Sequence, residues 1–279
     1  MRNCLVLQTD FGLVDGAVAA MKGVALQVDD TLEVFDLTHD ITPYNIWEAS
    51  YRLFQSVEYW PSGTVFVSVV DPGVGSDRKS VVARTSRGQY IVTPDNGTLT
   101  HIAAFIGIEE LREIDETRNR RRNTENSYTF HGRDVYAFTG AKLASTEMSF
   151  EQVGPALDIS QMVRLELGSL ESRPGLIRGC IDILDIRFGS LWTNIPREDF
   201  LQALGASIGD EIDVSITKAG IVRYHGRLRY THSFAEVKIG EPLVYVNSLY
   251  RMAVAINQGS FSSLYKIDTG TDWIIEFTR

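Results

Sequence analysis

Cysteine is scarce in this chain. The 279 residues include two cysteines, Cys4 and Cys180, which lie far apart and lack the short spacing typical of metal ligands. A disulfide framework and a cysteine-based zinc site are therefore not expected, and a reducing compartment suits the composition.

Excess basic charge and long apolar runs are also lacking. The formal net charge of −9 argues against general affinity for nucleic acid or an anionic membrane, because both require a basic surface. The local exception, residues 118–122, is flanked by acids at 115, 116 and 125, which predicts a solvated surface loop. No segment approaches the roughly 20 apolar residues of a membrane span, and the apolar run at 4–7 is too short for a signal peptide. We therefore expect a cytoplasmic protein without nucleic-acid or membrane partners.

The first part of the chain alternates between two apolar patterns. Short β-branched runs predict strands, and apolar residues at helical spacing predict the helices between them. The predicted strands are 4–8, 32–37, 64–70, 80–84 and 89–93, and the predicted helices are 17–28, 46–57, 98–106 and 135–145. Asp15 is expected to cap the first helix and Asp134 the last. This alternation predicts an α/β domain over residues 1–170, with a mostly parallel sheet flanked by helices.

The pattern changes after Gly168. Residues 169–178 have the composition of a linker, and short strands follow at 179–186, 211–218, 221–230, 242–246, 252–257 and 273–277. Strands of this length and spacing are typical of a small barrel or sandwich. We expect a smaller all-β barrel domain over residues 171–279.

Several polar residues follow predicted strand ends. Asp71 ends a buried run, and the Pro-Gly-Val-Gly that follows it lets the backbone turn and approach a ligand, while Arg78 can fold back over this loop. Asp10 and Tyr44 occupy comparable positions, and α/β proteins place ligands at the carboxyl ends of their strands. His131 precedes the last predicted helix, which puts its imidazole near a helix start and the same sheet edge. For each motif taken alone, an ordinary turn or a buried structural histidine is the competing interpretation.

Two loops of the second half also carry ligand-binding chemistry. Residues 185–194 place an acid, aromatic residues and polar groups around Gly189, and residues 247–250 interrupt two strands with Asn-Ser-Leu-Tyr. A hairpin connection is the alternative explanation for both loops.

Taken in order, six motifs resemble one family. They are Thr9-Asp-Phe-Gly12, Asp71-Pro-Gly-Val-Gly75 with Arg78, Pro94-Asp-Asn-Gly97, Phe130-His-Gly-Arg-Asp134, Phe188-Gly189 with Thr193-Asn194, and Asn247-Ser248. The chain resembles the S-adenosyl-L-methionine (SAM) hydrolases, or SAM hydroxide adenosyltransferases, which are related to the bacterial fluorinase and chlorinase. The resemblance covers nearly the whole chain.

The resemblance implies hydrolysis of SAM to adenosine and L-methionine in a homotrimer, with the substrate between the first domain of one subunit and the second domain of its neighbour. It implies that three residues activate the water, and that a second set of residues binds the substrate. The first set is Asp71, Arg78 and His131. In the second set, Asp10 holds the ribose diol, Asp185 meets the ammonium, Ser248, beside Asn247, meets the carboxylate, and Tyr44 and Phe234 line the nucleoside pocket. The family usually has Asn where this chain has Ser190, so Asn194 or a water is expected to replace that adenine contact.

Position 71 separates two reactions within the resembled family. The halogenating relatives have Tyr there and lack the Arg and His pair, so Asp71 favours hydrolysis. The sulfonium departs as a neutral thioether, which needs neither a general acid nor a metal, and we expect no cofactor. Three alternatives remain open at this point: a halogenase of the same fold, a SAM-binding sensor, and a metal-dependent hydrolase using Asp10, His39, Asp71 and His131.

Overall fold

A computed structural model describes residues 4–124 and 126–279, so that Glu125, beside the predicted basic loop, lies outside the described residues. The chain divides into two compact units, Met1–Leu165 and Glu166–Arg279. None of the helices in the described part of the chain is long and apolar enough to cross a membrane.

The first unit is a seven-stranded mixed sheet flanked by helices. The strand order is β2-β1-β3-β5-β4-β6-β7, in which the pairings from β2 to β5 are parallel and the remaining pairings antiparallel. The strands are β1 Leu5–Thr9, β2 Val34–Thr38, β3 Val65–Val69, β4 Ser80–Thr85, β5 Tyr90–Pro94, β6 Ile108–Glu113 and β7 Ala156–Leu157. The helices are α1 Ala17–Val28, α2 Ile46–Val57, α3 Thr100–Phe105 and α4 Phe138–Ala144.

The predicted α/β class is confirmed, and the sheet contains strands that the sequence interpretation did not include. β6 and β7 were not predicted, and they extend the sheet with antiparallel pairings. β6 is Ile-Glu-Glu-Leu-Arg-Glu, mostly charged and only partly buried, so it lacks the apolar run that marks the buried strands β1 and β3.

Two predicted helix caps are wrong. Gly16 occupies the N-cap position of α1, although Asp15 Oδ1 still accepts a hydrogen bond from the Ala17 backbone N–H at 2.9 Å. Asp134 lies inside a π-helical turn, Gly132–Ala137, that leads directly into α4. There it is fully buried and its carboxylate pairs with the Arg133 guanidinium, whose Nε donates at 2.7 Å.

The core of the first unit holds α4 close to the sheet at Gly140. Leu5, Val65 and Val67 of β1 and β3 are fully buried beneath this helix. A Cβ added to Gly140 of α4 would lie 2.4 Å from Val67 Cγ2 and 3.2 Å from Leu5 Cδ1. Only a glycine fits this approach without movement of the helix.

The second unit is a closed barrel, which confirms the predicted β-barrel. Seven strands close because β9 pairs with both β10 and β15, and the short β8 adds to β9 from outside. The strands are β8 Glu171–Arg173, β9 Leu176–Asp185, β10 Ser190–Pro196, β11 Glu211–Lys218, β12 Ile221–Tyr230, β13 Pro242–Val246, β14 Arg251–Ile256 and β15 Gly270–Thr278, with helices α5 Arg197–Leu204 and α6 Phe261–Tyr265.

A buried ion pair joins two barrel strands. Arg251 Nη1 of β14 donates to Asp182 Oδ2 of β9 at 3.1 Å, and both residues are buried. Burial raises the pKa of Asp182 to about 6, and the charge of Arg251 opposes that rise.

Candidate active site

The loop after β3 folds Arg78 back onto Asp71, as the sequence predicts. The Val74 backbone N–H donates to the Asp71 carbonyl at 3.2 Å, and the Ser76 N–H donates to the Gly73 carbonyl at 3.0 Å. Gly75 has φ +80°, a left-handed conformation that glycine adopts at no steric cost. These two consecutive turns reverse the chain within seven residues, so Arg78 returns to the end of the strand that Asp71 leaves.

Arg78 forms a two-pronged ion pair with Asp71. Its Nε donates to Asp71 Oδ1 at 2.9 Å, and its Nη2 donates to Asp71 Oδ2 at 2.6 Å. The Arg78 and Asp71 side chains are 10% and 5% exposed, so little water screens the pair. This parallel geometry is the strongest arrangement for a guanidinium and a carboxylate, and it fixes both groups.

The same guanidinium group contacts His131. Arg78 Nη2 lies 2.9 Å from His131 Nδ1, and since arginine only donates, Nδ1 must be the acceptor. A neutral His131 therefore carries its proton on Nε2, which is buried and has no partner among the residues that the structure describes. Burial lowers the pKa of His131 below its ordinary value of 6.5, a shift that Glu116 opposes and Arg78 reinforces.

A cleft of about 370 Å³ lies beside Asp71 in the first unit. The lining residues include three of the sequence-predicted site residues, namely Asp10, Tyr44 and Asp71. Asp10 Oδ2 accepts a hydrogen bond from the Tyr44 backbone N–H at 2.9 Å, which ties the loops after β1 and β2 together. Tyr44 has φ +68° and its side chain is 73% exposed, so the ring is available to a ligand.

The His39 side chain contacts the end of β1, next to Asp10. Its Nδ1 lies 2.8 Å from Thr9 Oγ1 and its Nε2 lies 3.0 Å from Asp36 Oδ1, so both ring nitrogens are already engaged. Within residues 4–124 and 126–279, no three side chains of His, Cys, Asp or Glu are grouped as a metal site would require. The contacts of His39 thus give it a structural position, unlike the metal-ligand role that the metal-dependent hydrolase alternative assigns to it.

The second unit contains a separate, larger cavity of about 950 Å³. Five of the sequence-predicted binding residues line it: Asp185, Ser190, Phe234, Asn247 and Ser248. Asn247 Oδ1 accepts hydrogen bonds from the Leu249 and Arg251 backbone N–H groups, at 2.9 and 3.1 Å. Its Nδ2 is buried without a partner in the described part of the chain, so it is a hydrogen-bond donor available to a ligand.

Asn194 differs from the expectation that it contacts the ligand. It is not among the residues lining the cavity: its Oδ1 accepts from the Cys180 backbone N–H at 2.8 Å, and its Nδ2 donates to the Gly168 carbonyl at 2.9 Å. Both ends of the amide are thereby used to fix the start of the barrel. Ser190 does line the cavity, next to Trp192 and Tyr245, whose side chains bond to each other at 3.1 Å.

Three residues around the charged cluster were missed in the sequence interpretation. Ser80 Oγ accepts from Arg78 Nη1 at 3.0 Å and lies 3.2 Å from the Tyr136 hydroxyl, while Glu116 Oε1 accepts from Ser80 at 3.1 Å. Glu116 also pairs with Arg120, whose side chain is 8% exposed, so the predicted basic loop is not wholly solvated. In the sequence, Tyr136 occupies a position typical of the apolar face of a helix. A role for its hydroxyl is evident only from its contact with Ser80 in the structure.

Comparison with known proteins shows where this chain belongs. The model of the SAM hydroxide adenosyltransferase N-terminal domain matches residues 5–154, and that of the C-terminal domain matches residues 179–274. A protein named (R)-S-adenosyl-L-methionine hydrolase from Methanocaldococcus jannaschii is 39% identical over 71% of this chain and 68% of its own length. A protein of the same name from Salinispora tropica is 33% identical over 94% of this chain and 93% of its own.

More distant relatives include the halogenating branch. A protein named fluorinase from Actinopolyspora mzabensis is 27% identical over 96% of this chain and 95% of its own. A crystal structure of an uncharacterized conserved protein from Thermotoga maritima superimposes with a TM-score of 0.90 at 32% identity, covering 99% of this chain and all of that one. These matches, together with the six motifs and both domain types, confirm the predicted resemblance: the chain belongs to the SAM hydroxide adenosyltransferase family.

Proposed function

We propose that this chain hydrolyses SAM to adenosine and L-methionine by in-line attack of an activated water on ribose C5′. The observation that carries the proposal is the buried cluster of Asp71, Arg78 and His131, with Asp71 lining the cleft that also contains Asp10. The relatives named as SAM hydrolases support the same substrate and reaction.

The chemistry requires an oxygen nucleophile and little else. When C5′ is attacked, the C–S electron pair leaves with sulfur, and the leaving group is a neutral thioether that needs no protonation. The water must be held in line with the C–S bond, and such positioning contributes roughly 7 to 11 kcal/mol in favourable cases. A fixed base adds roughly 10² to 10⁴-fold. We therefore propose that neither a metal nor a cofactor takes part.

The hydrogen bonds of the cluster divide the roles among its members. Because Arg78 donates to His131 Nδ1, the neutral imidazole offers Nε2–H as a donor and has no free acceptor nitrogen. His131 then orients the water oxygen, and Arg78 stabilises developing negative charge. Asp71 is the remaining base, since its carboxylate oxygens are the acceptors left in the cluster once Arg78 occupies His131 Nδ1.

The binding roles follow the chemistry of the substrate. A ribose diol donates two hydrogen bonds, which suits the carboxylate of Asp10, and the amino acid ammonium suits Asp185. The substrate carboxylate needs donors, and Ser248 with the free Nδ2 of Asn247 supplies them. The exposed ring of Tyr44 and that of Phe234 provide flat faces for the nucleoside, and Ser190 is the polar group near the adenine position.

We further propose that the protein is a cytoplasmic homotrimer, with a site completed by a neighbouring subunit. Asp10 and Tyr44 of the proposed binding set line the cleft in the first unit, and other members of that set line the cavity in the second unit. A solution mass near three times 31.2 kDa is expected, and a concentration-independent mass of 31.2 kDa would contradict the trimer.

The decisive experiment mixes chelator-treated protein with SAM alone and separates the nucleosides by liquid chromatography. We expect adenosine and methionine in equal amounts, lost in Asp71→Asn and His131→Ala. Activity that disappears on chelation and returns with metal would instead indicate a metal-dependent hydrolase. Bound but intact SAM would indicate a sensor.

A parallel incubation with chloride or fluoride tests the halogenating alternative, which is worth testing because some relatives are named fluorinase. The product to look for is 5′-halo-5′-deoxyadenosine. We expect none, because the carboxylate of Asp71 lines the cleft and would repel a halide ion. Formation of that product at a rate matching adenosine would overturn the assignment to hydrolysis.

A further inference from the structure

Two hydroxyl groups connect Asp71 to a second carboxylate. The Tyr136 hydroxyl lies 3.5 Å from Asp71 Oδ2 and 3.2 Å from Ser80 Oγ, and Ser80 donates to Glu116 Oε1 at 3.1 Å. The Asp71 side chain is 5% exposed, whereas that of Glu116 is 33% exposed. This line of four side chains, Asp71–Tyr136–Ser80–Glu116, therefore runs from a buried carboxylate at the cleft to one that reaches solvent.

The proposed reaction, on which this inference rests, produces a proton that must leave. SAM with its sulfonium charge reacts with water to give adenosine, neutral zwitterionic methionine and one proton. The water O–C5′ bond forms, the C5′–S bond breaks with its electron pair going to sulfur, and the water proton passes to Asp71. A protonated Asp71 no longer balances Arg78, so the next cycle requires that the proton be removed.

We propose that Tyr136, Ser80 and Glu116 form a relay that carries this proton from Asp71 to solvent. Protonated Asp71 donates to the Tyr136 oxygen, Tyr136 donates its own proton to Ser80, and Ser80 donates its proton to Glu116. Each hydroxyl gives up one proton and receives another, so the line ends with Asp71 ionised and Glu116 protonated. Glu116 then releases the proton to water.

The environment of each member suits this role. Burial raises the pKa of Tyr136, so the phenol stays protonated and acts as donor and acceptor together rather than as tyrosinate. The π-helical turn Gly132–Ala137 places this side chain, and such turns are frequent at functional sites. Arg120 Nη1 pairs with Glu116 Oε2 at 2.7 Å, which leaves Oε1 for Ser80.

Two variants interrupt the line at different points with little change of shape. Tyr136→Phe removes the inner hydroxyl and keeps the ring over which the Arg78 guanidinium lies, 5.6 Å from its centroid. Glu116→Gln keeps a hydrogen-bond acceptor of the same size and removes the carboxylate that accepts the proton at the end of the line. Ser80 is avoided because it also holds Arg78 Nη1. Glu113→Gln is the matched control, since Glu113 pairs with Lys79 and lies outside the line.

The test measures kcat and KM for SAM in dilute buffer, with and without added imidazole as an external base. We expect both variants to lose on the order of tenfold in kcat, less than the 10² to 10⁴-fold effect of a direct base. KM should stay unchanged and Glu113→Gln should match the wild type. Imidazole should restore Glu116→Gln, where the line is broken at its solvent end, and should not restore Tyr136→Phe, where the break is buried.

Each other outcome overturns the relay. An active wild type with unaffected variants, a Glu116→Gln loss that imidazole does not reverse, or a loss confined to KM would each overturn the relay alone. A wild-type protein that releases no adenosine would overturn the proposed function and the relay together. Calorimetric titration with SAM, carried out on the Asp71→Asn background to suppress turnover, measures SAM binding for each variant, and circular dichroism of each variant checks its folding.

Discussion

Arg78 Nη2 donates to His131 Nδ1 over 2.9 Å, and this single contact sets the tautomer of the neutral imidazole. A second proton on His131 would have to occupy Nδ1, where it would face the Arg78 N–H and a positive charge. Burial disfavours that charge as well. The structure thus holds His131 neutral with its proton on Nε2.

We expect turnover to fall in acid as His131 takes up its second proton. Because its pKa is lowered from 6.5, the rate should be constant from neutral pH down past 6.5 and decline only below it. The same shift makes the unfolded state the better proton acceptor, so stability should be complete above pH 6.5 and fall with further acidification. A pH–rate profile together with an NMR titration of His131 checks both statements. A His131 midpoint above 6.5 would contradict them.

Arg78→Lys should lower kcat although it keeps the positive charge. Lysine cannot reproduce the paired donation to Asp71 or the simultaneous contact with His131. We expect a loss of roughly 10² to 10³-fold, the effect of removing one preorganised donor to a developing anion. Arg84→Lys is the control, since Arg84 pairs with Glu109 and Glu110 elsewhere on the sheet. Steady-state rates equal to wild type would remove Arg78 from the catalytic set.

Asp10→Ala should weaken binding more than it slows turnover. Charge-assisted hydrogen bonds contribute about 1.5 to 3 kcal/mol each, so we expect roughly ten- to hundredfold weaker SAM binding. Asp15→Ala is the matched control, because Asp15 lies on the same loop and contacts the backbone of Ala17. Calorimetry on the catalytically silent Asp71→Asn background measures the affinity. An effect on kcat alone would contradict the diol-binding role.

The buried pair in the barrel should respond differently to single and double substitution. Arg251→Met alone leaves a buried Asp182 without this partner and should cost about 3 to 5 kcal/mol of unfolding free energy. The double variant Asp182→Leu with Arg251→Met should recover most of that loss, because packed apolar groups replace both charges. Urea unfolding midpoints check the difference. Glu198→Ala, which breaks the exposed pair with Arg197, should leave the midpoint unchanged.

The strand ends that carry the site could be predicted because their signal is local. β1 and β3 are buried along their whole length, so their apolar runs are continuous, and the chain after each run must leave the sheet. Asp10 and Asp71 are therefore placed correctly at one edge by sequence alone. The barrel was predictable for a similar reason, since β11 and β14 carry strong strand patterns.

The missed features depend on contacts between distant segments. The segment of β10 begins after Gly189 and ends at Pro196, so it resembles a connection until β9 and β14 pair with it. The amide of Asn194 could serve a ligand or the backbone, and only the position of Cys180 decides between them. Likewise the π-helical turn around Tyr136 has no sequence signal separate from that of an α-helix.

Gly140 is not among the residues that line the cleft, and yet its packing bears on the position of the site residues. Asp71 follows β3, and His131 precedes the π-helical turn that continues into α4, so the close packing of that helix on Val67 contributes to the distance between them. A methyl group at position 140 would push α4 away from β3, the two elements that lead to His131 and Asp71. The spacing of the reacting groups thus depends in part on close helix–sheet packing at a residue that does not line the cleft.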